Sequence, residues 1–290
     1  MLRTKASDIE GSAAWEISTG VIKAATGEDE GRLQNAVFKK HMNVADTKDG
    51  GASVWLPQVN GRPLHIEEGG DTTETSVSGQ QDAVLPGSCD CGNVSFQITR
   101  PNAQSYAPKS GWPDLTHAYH SITGEQRGNP GDAKWWIREN GTKYLAGTCA
   151  CRSCRLMSGF EIQVWAFVPR TNIYFRAGGV EVRALDFATL PAGTIKPYES
   201  SAGVLREFCP GCGATIFWHD KWRPDVIDVS VGLLDAPEGA RAERWLDWWT
   251  QRISFVEDSG LARTGAPARH AQELASALES GLKAWKQQEQ

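Results

Sequence analysis

The stretch Cys209-Pro-Gly-Cys-Gly-Ala-Thr-Ile-Phe-Trp218 decides how the chain folds. Its first half is a turn that aims two thiols at one point, with glycine relaxing the backbone around them, as in the knuckle of a zinc site. Its second half, Ala214 to Trp218, is a β-type run. Working outward, similar runs occur at Val94-Ser-Phe-Gln-Ile98, Glu161-Ile-Gln-Val-Trp-Ala-Phe-Val168, Asn172-Ile-Tyr-Phe175, Val180-Glu-Val182 and Val226-Ile-Asp-Val-Ser-Val231. Pro and Gly punctuate them, so residues 83–260 read as a mainly β domain.

Residues 261–290 differ. After Pro267, Leu274, Leu278 and Leu282 recur every four positions, with Ala271, Ala275 and Trp285 near the same face, which predicts one amphipathic helix packed on the β domain. Trp245, Trp248 and Trp249 are spaced like a helical face and read as core. Residues 66–82 are acidic, polar and without apolar periodicity, and read as a linker. Residues 100–146, with repeated Pro, Gly and Asn, read as a long loop of the kind that often carries function. Across the linker, Trp15-Glu-Ile-Ser-Thr-Gly-Val-Ile22 echoes Ile227-Asp-Val-Ser-Val-Gly-Leu-Leu234, and Val44-Ala-Asp46 echoes Val256-Glu-Asp258 in the same register. Residues 1–65 therefore read as the degenerate tail of a second copy of the main domain.

The formal charge of −5 offers no basic footprint for nucleic acid, and no apolar run is long enough to span a membrane. The start lacks the apolar core of a secretory signal, so a cytoplasmic protein is expected. In a reducing compartment, clustered thiols point to metal or catalysis rather than disulfides.

All seven cysteines lie in three clusters: Cys89-Asp-Cys91, Cys149-Ala-Cys-Arg-Ser-Cys154 and Cys209-Pro-Gly-Cys212. They stand beside Gly, Ser, Pro and Arg rather than in apolar runs, and no βαβ pattern surrounds either Cys-x-x-Cys as a thioredoxin-like pair would require. Seven thiolates divide naturally into a closed structural site of four and an open site of three. Spacing leaves two partitions open. Cys151 and Cys154 can join Cys209 and Cys212, or Cys89 and Cys91 can join them and leave Cys149, Cys151 and Cys154 on a second metal. The second is favoured because three ligands within so short a stretch converge unaided.

Gly87-Ser-Cys-Asp-Cys-Gly92, then Cys149-Ala-Cys-Arg-Ser-Cys-Arg155 running into Ser158-Gly159, then Arg206-Glu-Phe-Cys-Pro-Gly-Cys-Gly213 resembles the glutathione-dependent formaldehyde-activating enzyme family, which includes centromere protein V type proteins. It resembles the long fungal members of that family especially. The resemblance covers roughly residues 83 to 240. It implies a zinc-dependent β fold like that of a small Rab exchange factor (the Mss type), with Cys89, Cys91, Cys209 and Cys212 on a structural zinc and Cys149, Cys151 and Cys154 on a second, catalytic zinc. It also implies glutathione as co-substrate. The chain departs from the compact family pattern in the long insertion between Cys91 and Cys149 and in its N-terminal segment.

Three thiolates leave a zinc weakly Lewis-acidic, so hydrolysis is disfavoured, whereas an exogenous thiol can be taken up or released there. That suits a carbon–sulfur lyase acting on a glutathione adduct of an aldehyde or larger electrophile, similar to S-(hydroxymethyl)glutathione synthase. The alternative is a non-catalytic zinc-stabilised β module that binds a protein. Arg152, Arg155 and Arg206 adjoin the cysteines and are candidates for the glutathione carboxylates, Arg155 foremost. Ser158 is a candidate for orienting substrate; Glu161, Glu207 and Tyr198 are candidates for proton transfer, and His219 reads as an edge histidine.

Overall fold

The computed structural model describes residues 3–6, 13–16, 18–22, 38–67, 83–177 and 181–288. Its strands in chain order are β1 (Arg3–Ala6), β2 (Ala13–Glu16), β3 (Lys40–His41), β4 (Gln58–Val59), β5 (Arg62–Pro63), β6 (His65–Ile66), β7 (Val84–Ser88), β8 (Ser95–Thr99) and β9 (Ile137–Arg138). They continue with β10 (Lys143–Cys149), β11 (Gln163–Pro169), β12 (Ile173–Ala177), β13 (Glu181–Ala184), β14 (Lys196–Ser201), β15 (Val204–Phe208), β16 (Thr215–Asp220), β17 (Val226–Ser230) and β18 (Leu246–Trp248). The helices are α1 (Gly124–Arg127), α2 (Arg152–Ser158) and α3 (Gly265–Gln288). All six β-type runs read from the sequence become strands, and the chain is mainly β with a C-terminal helix.

Two sheets form the domain. The larger runs β14-β15-β16-β17-β11-β10-β18, with β9 added on β10; the smaller runs β13-β12-β8-β7. Side chains alternate across the large sheet, so its two faces have different partners. One face sends Tyr144, Ala146, Ala166, Val168, Phe217, Ile227 and Val229 into a shared core with Phe96, Ile98, Ile173 and Phe175 of the small sheet. Phe217 stands edge-on to Phe96 at 5.2 Å between ring centres, one of the edge-to-face contacts that aromatic quadrupoles favour. The other face presents Arg206, Trp218, Asp228 and Phe167, aligned across neighbouring strands by register.

Residues 100–136 cover that second face. They form a packed lobe rather than a free loop: Leu115, Trp135 and Trp136 share a buried cluster with Leu145, Phe167 and Val226. Trp136 Nε1 donates to Ser105 O and Trp135 Nε1 to Gly111 O, both at 2.9 Å. Buried Asp114 accepts from Tyr119 N, Phe255 N and Arg252 Nη2, tying the lobe to the chain after β18.

Helix α3 buries Ala271, Leu274, Ala275, Leu278, Leu282 and Trp285, the face expected from the leucine spacing. Trp285 meets Trp55, and Trp55 meets Trp248 at 4.6 Å, so the helix is docked on the core through residues 51–59. Gly281 is required for this approach, because a Cβ there would lie 1.6 Å from Trp55 O. The helical reading of the tryptophans is corrected: Leu246–Trp248 is a strand paired in parallel with β10, which sends Trp245 and Trp248 to the main core and leaves Trp249 against the lobe cluster.

At the N-terminus, β2 is followed by a 3-10 turn at Thr19–Val21, and β17 by one at Val231–Leu233, the same succession in the two echoing segments. The first turn lies on α2, with Gly20 N donating to Gly159 O at 2.9 Å. Of the expected linker, all but Ile66 and Glu67 lies outside the described residues. Among the described residues, no helix is long and apolar enough to cross a membrane.

Candidate metal centre and cavity

Cys89 and Cys91 follow β7 of the small sheet, and Cys209 and Cys212 follow β15 of the large one. Both turns have one hydrogen-bonded form. Cys89 N donates to Val94 O and Cys209 N to Ala214 O, five residues on, while Gly92 and Gly213 supply the positive φ. The four Sγ atoms lie within 4.8 Å of one another. Cys91 Sγ is 3.5 Å from Cys89 Sγ and 3.6 Å from Cys209 Sγ, close to the ~3.8 Å edge of a tetrahedron with zinc–sulfur bonds of about 2.3 Å. The donor set and spacing fit a closed metal site that joins the two sheets.

Cys149 ends β10, Cys151 is the N-cap of α2 and Cys154 lies in its first turn. Their Sγ atoms also converge within 4.8 Å. The buried Cys149 thiol, hydrogen-bonded to Cys151 and Cys154, is held well above the ordinary thiol range, while the bonds of Cys151 to Cys149 and Cys154 pull Cys151 down to about 3. Thiols this close oppose one another's deprotonation, and a metal ion among them would supply the charge that favours it. Among the described residues, this set has no fourth protein ligand of the kind that closes the other cluster.

All three cysteines line a cavity of about 710 Å³ between the large sheet and the lobe. Trp165, Phe167 and Trp218 wall it from the sheet, and Trp112 and Tyr119 from the lobe. Arg206 reaches it from β15, with Nη2 4.0 Å from Cys154 Sγ and Nη1 donating to Ser200 Oγ. Of the arginines proposed beside the cysteines, this is the one the fold turns into the cavity.

The others are placed elsewhere. Buried Arg155 donates from Nη1 to Gly20 O and from Nη2 to Leu261 O at 3.1 Å, so its guanidinium holds backbone segments and does not line the cavity. Ser158 Oγ accepts from Phe160 N at 3.2 Å in the turn that ends α2, and neither it nor Arg152 lines the cavity. Buried Glu161 accepts from Arg263 Nη1 at 2.7 Å. Glu207 and His219 pair with each other at 3.1 Å, His219 stacked on Phe187, while Tyr198 is exposed on β14.

Sequence reading passed over Arg127, Arg223 and Asp228, all of which line the cavity. Arg223 Nη2 donates to Asp228 Oδ1, and burial raises the Asp228 carboxyl to about 6 against the pull of Arg223. The signal was present in alternation: Asp228 lies between Ile227 and Val229, which face the core, so the strand turns its carboxylate to the opposite side.

No curated protein matches the chain. A solved structure of a Rhodobacter sphaeroides protein is 15% identical over an alignment covering 56% of this chain and 98% of that one, with a TM-score of 0.30, too low to bear on the fold. The sequence model of the glutathione-dependent formaldehyde-activating enzyme matches residues 137–252, a span that holds the Cys149–Cys154 triplet, Arg206, Cys209, Cys212, Arg223 and Asp228. On that match residues 137–252 form a domain similar to that of the glutathione-dependent formaldehyde-activating enzyme family.

Proposed function

We propose that the chain is a zinc-dependent carbon–sulfur lyase acting on a glutathione adduct of an aldehyde or larger electrophile, on a β fold of the Rab-exchange-factor type. One observation carries the reading: three convergent thiols open onto a large cavity walled by aromatic side chains. Cys89, Cys91, Cys209 and Cys212 would hold one zinc, and Cys149, Cys151 and Cys154 the other. When bound to the triplet, zinc supplies a positive charge that favours the thiolate form of an incoming or departing sulfur.

The chain's own groups do the rest. In the cleavage direction the adduct's hydroxyl loses its proton and its oxygen forms a carbonyl. The carbon–sulfur bond breaks with its electron pair on sulfur, giving aldehyde, thiolate and a proton. Asp228, with a carboxyl near 6, is suited to take up and return that proton near neutral pH. Arg206, beside Cys154 Sγ, favours negative charge on sulfur. The aromatic walls offer the departing aldehyde an apolar surface.

Metal counting with Cys151→Ser tests this. The parent should bind two zinc ions and the variant one, with the fold kept and carbon–sulfur exchange lost. Unchanged turnover in the variant would sink the proposal.

A further inference from the structure

The cavity contains buried cationic groups with hydrogen-bonding capacity left over. Arg223 is 8% exposed, and its Nη1 has no hydrogen-bond partner, although Nη2 is taken by Asp228. Its guanidinium carbon lies 5.1 Å from the Trp218 ring centre, 5.3 Å from Phe167 and 5.5 Å from Trp135. Arg206, 4% exposed, leaves Nε without a partner. Arg127, from the lobe, leaves its Nε unpartnered as well. Buried donors without acceptors are uncommon and costly, and an orphan that lines a cavity points to a ligand atom.

The acids nearby do not fill this need. Asp220 Oδ1 accepts from the backbone N–H groups of Trp222 and Arg223, and Asp114 is engaged by Arg252 and by the Tyr119 and Phe255 amides. Asp258 lies on the Cys151 side of the cavity. The walls of the same cavity are aromatic: Trp218 and Phe167 from the sheet, with Trp112 and Tyr119 from the lobe.

We infer that the electrophilic half of the substrate is a planar aromatic group bearing an acidic substituent, a carboxylate in the simplest case, held by Arg223 Nη1 with Arg206 Nε while the ring lies among Trp218, Phe167 and the lobe aromatics. This rests on the lyase reading for the word substrate, but the subsite exists independently of turnover. A carboxylate there could come from the aromatic half or from glutathione itself, and the test separates the two.

The zinc-loaded protein is titrated with 1-naphthoate and with 1-naphthamide, following tryptophan fluorescence. Naphthoate should bind about tenfold more tightly than the amide, because only the acid forms a charge-assisted bond. Arg223→Gln should remove that difference while leaving amide binding within about twofold. Equal affinities in the parent overturn the inference, and so does a parallel loss of both probes in a folded Arg223→Gln protein. Should that variant not fold, the parent acid-to-amide ratio decides alone. Saturating glutathione should leave naphthoate binding within about twofold; mutual exclusion would assign the arginine to the glutathione carboxylates and overturn the aromatic-acid assignment. Absent carbon–sulfur exchange with an intact naphthoate preference would defeat the lyase reading and leave the subsite standing.

Discussion

Arg155 of the helix that carries Cys151 and Cys154 donates its guanidinium to the carbonyl of Gly20, so the N-terminal segment is fastened to the back of the thiol triplet. Arg263 adds a second tie, from Nη2 to Thr19 O at 3.0 Å. Substituting Arg155 by Gln should lower stability by ~2–4 kcal/mol, since hydrogen bonds from a charged group are lost and buried carbonyls are left without donors. The melting temperature measures this, and limited proteolysis should show earlier cleavage before Phe38. A melting temperature equal to the parent's would refute it.

Gly20 leaves no room for a side chain. A Cβ would lie 2.6 Å from the Gly159 carbonyl carbon and 2.7 Å from Phe160 N. Gly20→Ala should displace the segment from α2 and cost ~1–3 kcal/mol, in the range of overpacked sites. Hydrogen exchange at the Gly20 amide, bonded to Gly159 O, is the local readout.

Cys209→Ser should cost the domain its fold, because metal binding at the proposed four-cysteine site would be folding free energy. Circular dichroism and size-exclusion chromatography should report an aggregated or loosened chain. A folded variant with parent-like melting would mean that the two sheets are held without that site.

Asp228 gives stability a pH dependence of defined sign. Its carboxyl titrates near 6 in the folded chain and near the ordinary 3.8 when unfolded, so between those values the folded state binds more protons. This group's contribution therefore falls as pH rises from about 4 to 6. Melting curves of the parent and Asp228→Asn should converge on that account at the acid end and separate as pH rises through 6, the parent losing relative stability. A constant offset across the range would refute the assignment.

Much of this architecture was legible from side-chain alternation. The six β-type runs became strands because each carries apolar residues for the inner face, and α3 was readable because one leucine-bearing stripe is all it buries. Both thiol clusters were readable because their ligands sit in turns of fixed geometry. The cavity was less so. Arg155 adjoins a cysteine in sequence, yet α2 directs it toward Gly20; Arg206 adjoins Cys209 across a strand, and the pleat directs it toward Cys154. Adjacency in sequence says little about which face a side chain takes. The lobe was misleading for another reason. Its Pro and Gly residues look like loop composition, while the burial of Leu115, Trp135 and Trp136 against the sheet depends on contacts that no local pattern encodes.

The four-cysteine site closes between thiols 118 positions apart, at Cys91 and Cys209. During synthesis, the first pair must therefore wait, reduced and uncommitted, until most of the chain has emerged. With zinc at the proposed site, metal supply at that moment sets how many chains reach the closed state. In a metal-starved cell this protein should be lost through failed maturation before any deficit in its chemistry could be felt.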